Sequence, residues 1–377
     1  MQHSITNTDV EYMSISRSTE KIRVLHIVSG DLWAGAEAQA YALIKQLNKD
    51  CTVAAVLMNE GELASRLRAI DIPVTVLDET RCSAWQLFQG IRRAIKAFKP
   101  TVIHTHRQKE NILGSLANLT TLRARCVRTV HGASEFNGGL KTGIQRWVDH
   151  ACGRWLQDGV IVVSRELMDK LKGQYGAQRL YCVPNGVDLE ELTEKASAGT
   201  DLVFEPGCTH IAIIGRLVQV KRVDLFLEAA RLVLDQSNQY RFHIVGNGPL
   251  EATLKAQADT LILAEPQVQF HGHRNDIPAI IKACDAVVLC SDHEGMPMVA
   301  LETLALSKPL ISTDTVRLFQ NGIDPGFDPA PQTPAGLSTA LLSLQGNPST
   351  SKNTTASRFS LTSIQCAQKT LGIYSYE

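Results

Sequence analysis

Ser291-Asp292-His293-Glu294-Gly295-Met296-Pro297-Met298-Val299-Ala300-Leu301-Glu302 follows the apolar run Ala286-Val287-Val288-Leu289. Four successive apolar residues between polar neighbours read as a strand buried on both faces, as in a parallel sheet. From Pro297 to about Leu306 the residues are helix-forming, so the carboxyl end of a strand here meets the start of a helix. Pro297 suits the first helical position, and Gly295 ahead of it permits a tight turn. The N–H groups of Met298 and Val299 would then face outward at the positive end of the helix dipole, which favours a phosphate. Glu294 stands at the mouth. Glu302 falls on the same helical face as Met298, one turn deeper, where a carboxylate can accept two hydrogen bonds from a diol such as a ribose. An ordinary surface helix start reads the same over so short a stretch, so the rest of the chain decides.

Outward from this stretch, strands and helices alternate. His210-Ile211-Ala212-Ile213-Ile214 is a strand running into Gly215-Arg216-Leu217-Val218-Gln219-Val220-Lys221-Arg222 and then a helix from Val223. Arg offers phosphate a planar fork and Lys a compact charge. Two cations at a helix start oppose the dipole and are costly unless an anion is bound there. Phe242 to Val245 is a strand ending in Gly246-Asn247-Gly248-Pro249-Leu250, and Val268 to Phe270 is another, followed by a short helix from Asp276 to Cys284.

The first half repeats the pattern, with strands at Ile22–Val28, Thr52–Leu57, Val74–Leu77, Val102–His106, Cys126–Val130 and Gly159–Ser164. Helices fall between them, at Leu63–Ile70 and Trp85–Phe98 among others. Alternation of this kind implies doubly wound parallel sheets with right-handed crossovers. The first loop, Ser29 to Glu37, has glycines that permit close backbone approach to a ligand but lacks the G-x-G-x-x-G spacing of a dinucleotide site. His104 and His106 share one side of a strand. A metal pair is conceivable, but with no third ligand in evidence they read as strand-end residues lining a cleft, with Lys109, Glu110 and Asn111 in the loop beyond. His131 ends a strand before Gly132, where near-neutral titration would let it donate to a developing oxygen charge. Ile144 to Leu156 carries Trp147 and Trp155 among arginines; it could lie on a lipid surface, but tryptophans packed on the sheet are the plainer reading.

A chain of 377 residues has room for two units of ordinary size. Residues 1–20 read as a polar arm, 21–195 and 205–355 as the two units, and 358–377 as a closing helix; residues 190–207 are the linker. Lys+Arg and Asp+Glu both count 38, so no global field points to nucleic acid. Nine scattered cysteines without a C-x-x-C pair indicate neither disulfide framework nor zinc site, and suit a reducing cytosol. No apolar stretch approaches the ~18 residues of a membrane span, so any membrane contact is expected to be peripheral.

Glu294 and Glu302, with Gly and Pro between them, resemble the E-x7-E signature of family-4 retaining glycosyltransferases of the GT-B fold. Ala34-Gly35-Ala36-Glu37 is similar to that family's G-G-A-E loop with Ala34 replacing the first glycine. Thr129-Val130-His131-Gly132 resembles its histidine motif, Val183-Pro184-Asn185-Gly186-Val187-Asp188 its boundary segment, and Gly215-Arg216-Leu217 with Lys221 its diphosphate-holding pair. Gly246 and Gly248 resemble its G-x-G-P-L turn near the nucleotide, and Phe270-His271-Gly272 its F-x-G segment.

The resemblance implies two Rossmann-like domains facing across a cleft, with a last helix crossing back to the first. It implies that His131, Arg216, Lys221 and Glu294 serve catalysis. Gly35, Gly215, Gly246, Gly248, Met298, Val299 and Glu302 would bind the donor, a UDP- or GDP-type nucleotide sugar, with neither cofactor nor metal. No D-x-D pair occurs, so the metal-bridged diphosphate site of the other large transferase fold is not expected. The acceptor would be a glycan or a lipid-linked sugar, met in the cytoplasm or at the inner face of the cytoplasmic membrane during polysaccharide biosynthesis. Glu294 would bind sugar rather than attack it. One departure stands out: where the family has a Gly-Gly loop, this chain has Thr315-Val316-Arg317-Leu318-Phe319, bulky residues that resist positive φ. Arg317 could replace that loop as a phosphate ligand. Two other functions fit the same architecture: a sugar-nucleotide epimerase, which needs no acceptor, and a nucleotide-sugar-binding partner without catalysis.

Overall fold

The structure, a computed structural model, describes residues 21–31, 33–132, 140–175, 179–318, 323, 328–344 and 360–375. The arm expected over 1–20, the polar stretch 347–355, residues 324–327 and Phe319 lie outside the described residues.

Two parallel sheets carry the chain. The first contains β1 (Arg23–Val28), β2 (Thr52–Leu57), β3 (Val74–Val76), β4 (Val102–Thr105), β5 (Arg125–Val130), β6 (Gly159–Val162) and β7 (Leu180–Cys182), in the order β3-β2-β1-β4-β5-β6-β7. The second contains β8 (Thr209–Ile214), β9 (Tyr240–Val245), β10 (Val268–Gly272), β11 (Ala286–Leu289) and β12 (Leu310–Ser312), in the order β10-β9-β8-β11-β12. Helices α1 (Gly35–Asp50), α2 (Glu62–Ala69), α3 (Ala84–Phe98), α4 (Gln108–Leu119), α5 (Leu140–Trp155), α6 (Arg165–Tyr175) and α7 (Leu189–Ser197) belong to the first half. Helices α8 (Val223–Leu234), α9 (Glu251–Thr260), α10 (Ile277–Ala283), α11 (Met298–Ala305) and α12 (Pro334–Ser343) belong to the second, and α13 (Ser363–Tyr374) closes the described chain. The apolar strands β1, β2, β8 and β11 are buried almost throughout, as two-faced burial demands. Strand order reverses between β1 and β4 and again between β8 and β11, the points where open sheets of this class bind ligands.

The chain returns to its first half through α13. Cys366, Ala367, Ile373 and Tyr374 join the core cluster that holds Leu43, Ile44 and Leu47 of α1. On the way, Val187 N–H donates to Leu361 O at 3.0 Å and Ser363 N–H to Val187 O at 2.9 Å. A side chain at Gly186 would begin 2.2 Å from the Thr362 carbonyl, so only glycine lets the two segments lie together there.

Four expectations are corrected. Lys109, Glu110 and Asn111 lie in α4, not in a loop. Its buried face carries Glu110, Asn111, Ser115 and Asn118 with only the small Gly114 and Ala117 among them, so no strong apolar period marks it. Residues 189–197 are a helix rather than linker, capped by Asp188, whose side chain accepts the Glu191 N–H, and anchored by buried Leu192 and Ala196. Trp147 and Trp155 do not pack on the sheet: they are 67% and 69% exposed, while Asp149 and Cys152 take the inward face of α5. Arg317 itself adopts φ 53°, so the loop after β12 makes its left-handed turn without glycine. Its guanidinium lies 3.6 Å from the Glu166 carboxylate.

One buried polar cluster belongs to the first half's core. Arg128 on β5 donates to both carboxylate oxygens of Asp149 on α5, at 3.0 and 2.9 Å, and to the Tyr175 hydroxyl at 3.2 Å. Asn111 donates to Asp149 at 2.6 Å, and Gln157 donates to Asn111 and Ser115. Polar groups this deep are tolerated because most of them satisfy one another; among the described residues Gln157 Oε1 is left without a donor.

Candidate functional site

The loops that leave the two switch points face each other across a cavity of about 700 Å³, within the ordinary range for a small-molecule site. From the second half come Gly215, Arg216 and Lys221 after β8, Gly246 and Asn247 after β9, and Glu294 to Val299 with Glu302 after β11. From the first half come Asp31, Trp33 to Ala36, Tyr41, Arg66, His131 and Asn185, with Asp188 capping α7 and Glu191 and Lys195 on it. Of the residues expected from sequence, His131, Arg216, Lys221, Glu294, Gly35, Gly215, Gly246, Met298, Val299 and Glu302 all line this one cavity. Gly248 does not. A Cβ there would stand 2.4 Å from the Leu217 carbonyl, so its place is one of backbone packing.

Pro297 caps α11 with extended backbone instead of opening the helix, and Met298 is the first helical residue. Among the described residues no acceptor pairs with the N–H of Met298 or Val299. These are two of the donors that any helix start leaves open, and here they border the cavity. Across it, Gly35 at the start of α1 lies against Met298, with 3.7 Å from its ideal Cβ position to Met298 Cγ. Gly295 is required by contact between the halves, since a Cβ there would come within 2.4 Å of the His131 carbonyl. Asn185 spans the same gap, donating to Met296 O at 3.0 Å.

Lys221 closes a 3-10 turn ahead of α8 and donates to Glu294 Oε1 at 2.5 Å; Ser291 Oγ donates to the same oxygen at 2.7 Å. The cation's cost at a helix start is therefore offset by Glu294 itself, where sequence suggested a bound anion. Arg216 is exposed and makes no ion pair among the described residues. Burial pushes the Glu302 carboxyl up to about 7, with Lys195 pulling it down in part.

Gly246 turns the chain at φ 132°, and a Cβ there would come within 1.9 Å of the Gly215 carbonyl. Gly246→Ala is expected to destabilise the second half by about 1–3 kcal/mol, as strain at such a position costs. Urea unfolding followed by tryptophan fluorescence and circular dichroism checks it; an unchanged midpoint would show that the β8 and β9 turns can separate freely.

His104 and His106 are corrected most. Neither lines the cleft; both are wholly buried, and His26 of β1 joins them as a third histidine. His104 is held by the Tyr374 hydroxyl at 2.5 Å and the Thr129 hydroxyl at 2.7 Å. His106 bonds His26 on one side, at 3.0 Å, and His131 on the other, at 3.2 Å. Burial lowers His131 to about 3, so it stays neutral near pH 7 and does not titrate there as its sequence position suggested.

Sequence reasoning missed Glu191 and Lys195 because it took their helix for linker, and it read Asp188 only as the end of the boundary segment. The signal was present: Asp188 followed three residues later by Glu191 is an N-terminal capping pattern.

The profile described as "Glycosyltransferase Family 4" matches residues 33–191, and that described as "Glycosyl transferases group 1" matches 208–347. Between them they take in both halves of the cleft. The chain belongs to the family-4, group 1 glycosyltransferases. This glycosyltransferase is 26% identical over 306 residues to the Escherichia coli UDP-Gal:alpha-D-GlcNAc-diphosphoundecaprenol alpha-1,3-galactosyltransferase, covering 77% of this chain and 79% of that one. It is 24% identical over 282 residues to the Campylobacter jejuni GalNAc-alpha-(1->4)-GalNAc-alpha-(1->3)-diNAcBac-PP-undecaprenol alpha-1,4-N-acetyl-D-galactosaminyltransferase, covering 72% and 73%. Among solved structures, Anabaena HepE in complex with UDP and glucose superposes with a TM-score of 0.79 at 18% identity, covering 94% of this chain and 100% of that one. The apo lipopolysaccharide outer core galactosyltransferase WaaB does so at 0.66 and 15%, covering 93% and 99%. The two doubly wound sheets are thus those of the GT-B fold.

Proposed function

We propose that this glycosyltransferase binds a UDP- or GDP-type sugar in the cleft and transfers the sugar, with retention of anomeric configuration, to a lipid-linked or glycan acceptor presented by the first half. The observation that carries the reading is the convergence on one cavity of Arg216, Lys221, the open amides of Met298 and Val299, and the Glu302 carboxylate. That set matches a nucleoside diphosphate: cations and helix-start amides for the pyrophosphate, a carboxylate for the ribose diol. Leaving-group charge falls on Arg216, Lys221 and the helix start, so no metal is needed for it. Glu294, held by Lys221 and Ser291, serves the sugar and the local field. The names of the Escherichia coli and Campylobacter relatives, both with undecaprenyl diphosphate-linked acceptors, support a lipid-linked acceptor for polysaccharide assembly. No helix among the described residues is long and apolar enough to cross a membrane. The exposed Trp147 and Trp155 on α5 support peripheral contact, at the inner face of the cytoplasmic membrane.

Screening nucleotide sugars by thermal shift tests the donor, since a ligand that binds only the folded form raises its melting temperature. The matching donor is then incubated with and without acceptor and the product's anomeric configuration read by NMR. Transfer with retention supports the proposal; conversion of donor without any acceptor shows an epimerase instead.

Glu302 makes donor affinity pH-dependent. Its raised carboxyl value means that folding is favoured with the proton on: the burial penalty is absent below the ordinary value near 4.5, grows as pH rises, and is full above about 7. A ribose diol needs the carboxylate, so below about pH 7 the ligand competes with the proton and affinity falls by up to about tenfold per pH unit. Calorimetry near pH 6 should record proton release on binding that vanishes in Glu302→Gln. Affinity that is flat from pH 5 to 8 would remove Glu302 from the ribose.

A further inference from the structure

His26, His106 and His131 form a line of three imidazoles that runs from the interior of the first sheet to the cleft. His26 Nδ1 faces His106 Nε2 at 3.0 Å, and His106 Nδ1 faces His131 Nε2 at 3.2 Å. Among the described residues the two terminal nitrogens, His26 Nε2 and His131 Nδ1, are buried and have no hydrogen-bond partner. Burial keeps all three rings neutral near pH 7. Each neutral ring has one N–H and one bare nitrogen, so the two internal bonds allow only two arrangements. Either every ring is protonated on Nδ1, and the line ends in a bare nitrogen at His26 and an N–H at His131, or every ring is protonated on Nε2 and the ends are exchanged. One buried N–H is left over in both.

An orphaned N–H is the less tolerated of the two end states, and of the two end residues only His131 lines the cavity from which a ligand oxygen could relieve it. Nothing can reach His26, which is wholly buried. We propose that His26 and His106 are positioning residues that hold His131 as its Nδ1–H tautomer, so that it meets a ligand oxygen in the cleft as a neutral hydrogen-bond donor and never as a base. The catalytic part of this rests on the transferase reading; the tautomer does not. A metal ion among His26, His104 and His106 is the rival use of the cluster. It would have to take one His104 nitrogen from the Tyr374 or the Thr129 hydroxyl and one His106 nitrogen from His26 or His131.

The test is 15N NMR of the histidine-labelled full chain without ligand. Protonated-nitrogen shifts are expected at Nδ1 of His26, His106 and His131, with bare-nitrogen shifts at Nε2. Nε2–H on His131 in the wild-type protein overturns the proposal, whatever the enzyme does. In His106→Leu the lock is gone, and His131 should move toward the Nε2–H form that free imidazole side chains favour. His106→Asn, whose amide occupies the Nδ1 position, should restore the bond to His131. With donor and acceptor present, His106→Leu should lower kcat about tenfold or more with little change in the KM for donor, and His106→Asn should recover most of it, since a partner that sets a histidine's tautomer governs turnover. A His131 tautomer unchanged in both variants would reduce His106 to packing and refute the relay. If no transfer is found with any acceptor, the function fails while the NMR result still stands or falls alone.

Discussion

Lys221→Ala is expected to slow sugar transfer by about 100- to 1,000-fold, the loss of about 2.7–4 kcal/mol that follows removal of one preorganised donor to a developing charge. The expectation rests on where Lys221 stands. It lies at the β8 end of the switch point, and its ammonium already touches Glu294, so it needs no reorganisation when the diphosphate arrives. Losing it does two things: the leaving group loses a cation, and among the described residues Glu294 keeps only the Ser291 hydroxyl. These separate by experiment. Glu294→Gln removes the acid's charge and leaves Lys221 free for phosphate, so it should harm the sugar step more than nucleoside diphosphate binding. Because the two side chains are in contact, the losses in the double variant should not add. Single-turnover rates with saturating donor are the measurement. Near wild-type rates in Lys221→Ala would contradict the assignment of charge to this residue. Arg216→Ala should show a comparable loss, with a simpler origin, since it has no ion pair among the described residues to lose.

Asp149→Ala is expected to destabilise the first half by about 3–5 kcal/mol, because it breaks a buried ion pair and takes from the Arg128 guanidinium the carboxylate that accepts two of its hydrogen bonds. Arg128 is 0% exposed and Asp149 1%, and the pair is tied to Tyr175, Asn111 and Gln157. A surface pair would matter little, typically less than about 1 kcal/mol. Replacing both partners, as in Arg128→Met with Asp149→Leu, should recover most of the loss, since apolar residues of similar volume leave no charge unsolvated. Urea unfolding of the three proteins distinguishes the outcomes. If Asp149→Ala unfolds at the wild-type urea concentration, water must reach Arg128 and the cluster is not dry.

Much of the fold was legible because parallel strands buried on both faces are continuous apolar runs. Thr52–Leu57 and Ala286–Leu289 fall at their predicted bounds for that reason. Two helices went unread because their inward faces carry too few large aliphatic residues: α4 buries Glu110, Asn111, Ser115 and Asn118 beside Gly114 and Ala117, and the short α7 buries only Leu192 and Ala196. The exposed tryptophans of α5 were misplaced by the opposite error, the assumption that large apolar residues always turn inward.

The cleft divides in the same way. Glu294, Pro297 and Glu302, and Gly215 with Arg216 and Lys221, were visible along the chain because helix-start chemistry is local: a few residues set the turn, the open amides and the charge. The order of apolar runs likewise determined two doubly wound sheets. Only tertiary structure decided that Lys221 neutralises Glu294, that Gly295 touches His131, and that His26 and His106 stand behind His131. Those contacts, Lys221–Glu294, Gly295–His131, His26–His106 and His106–His131, span 73, 164, 80 and 25 residues of the chain, and each depends on strand order or on how the two halves meet. Burial that keeps an imidazole neutral, or lifts a glutamate to about 7, belongs to the assembled molecule, because desolvation is a property of what surrounds a group and not of its neighbours in sequence.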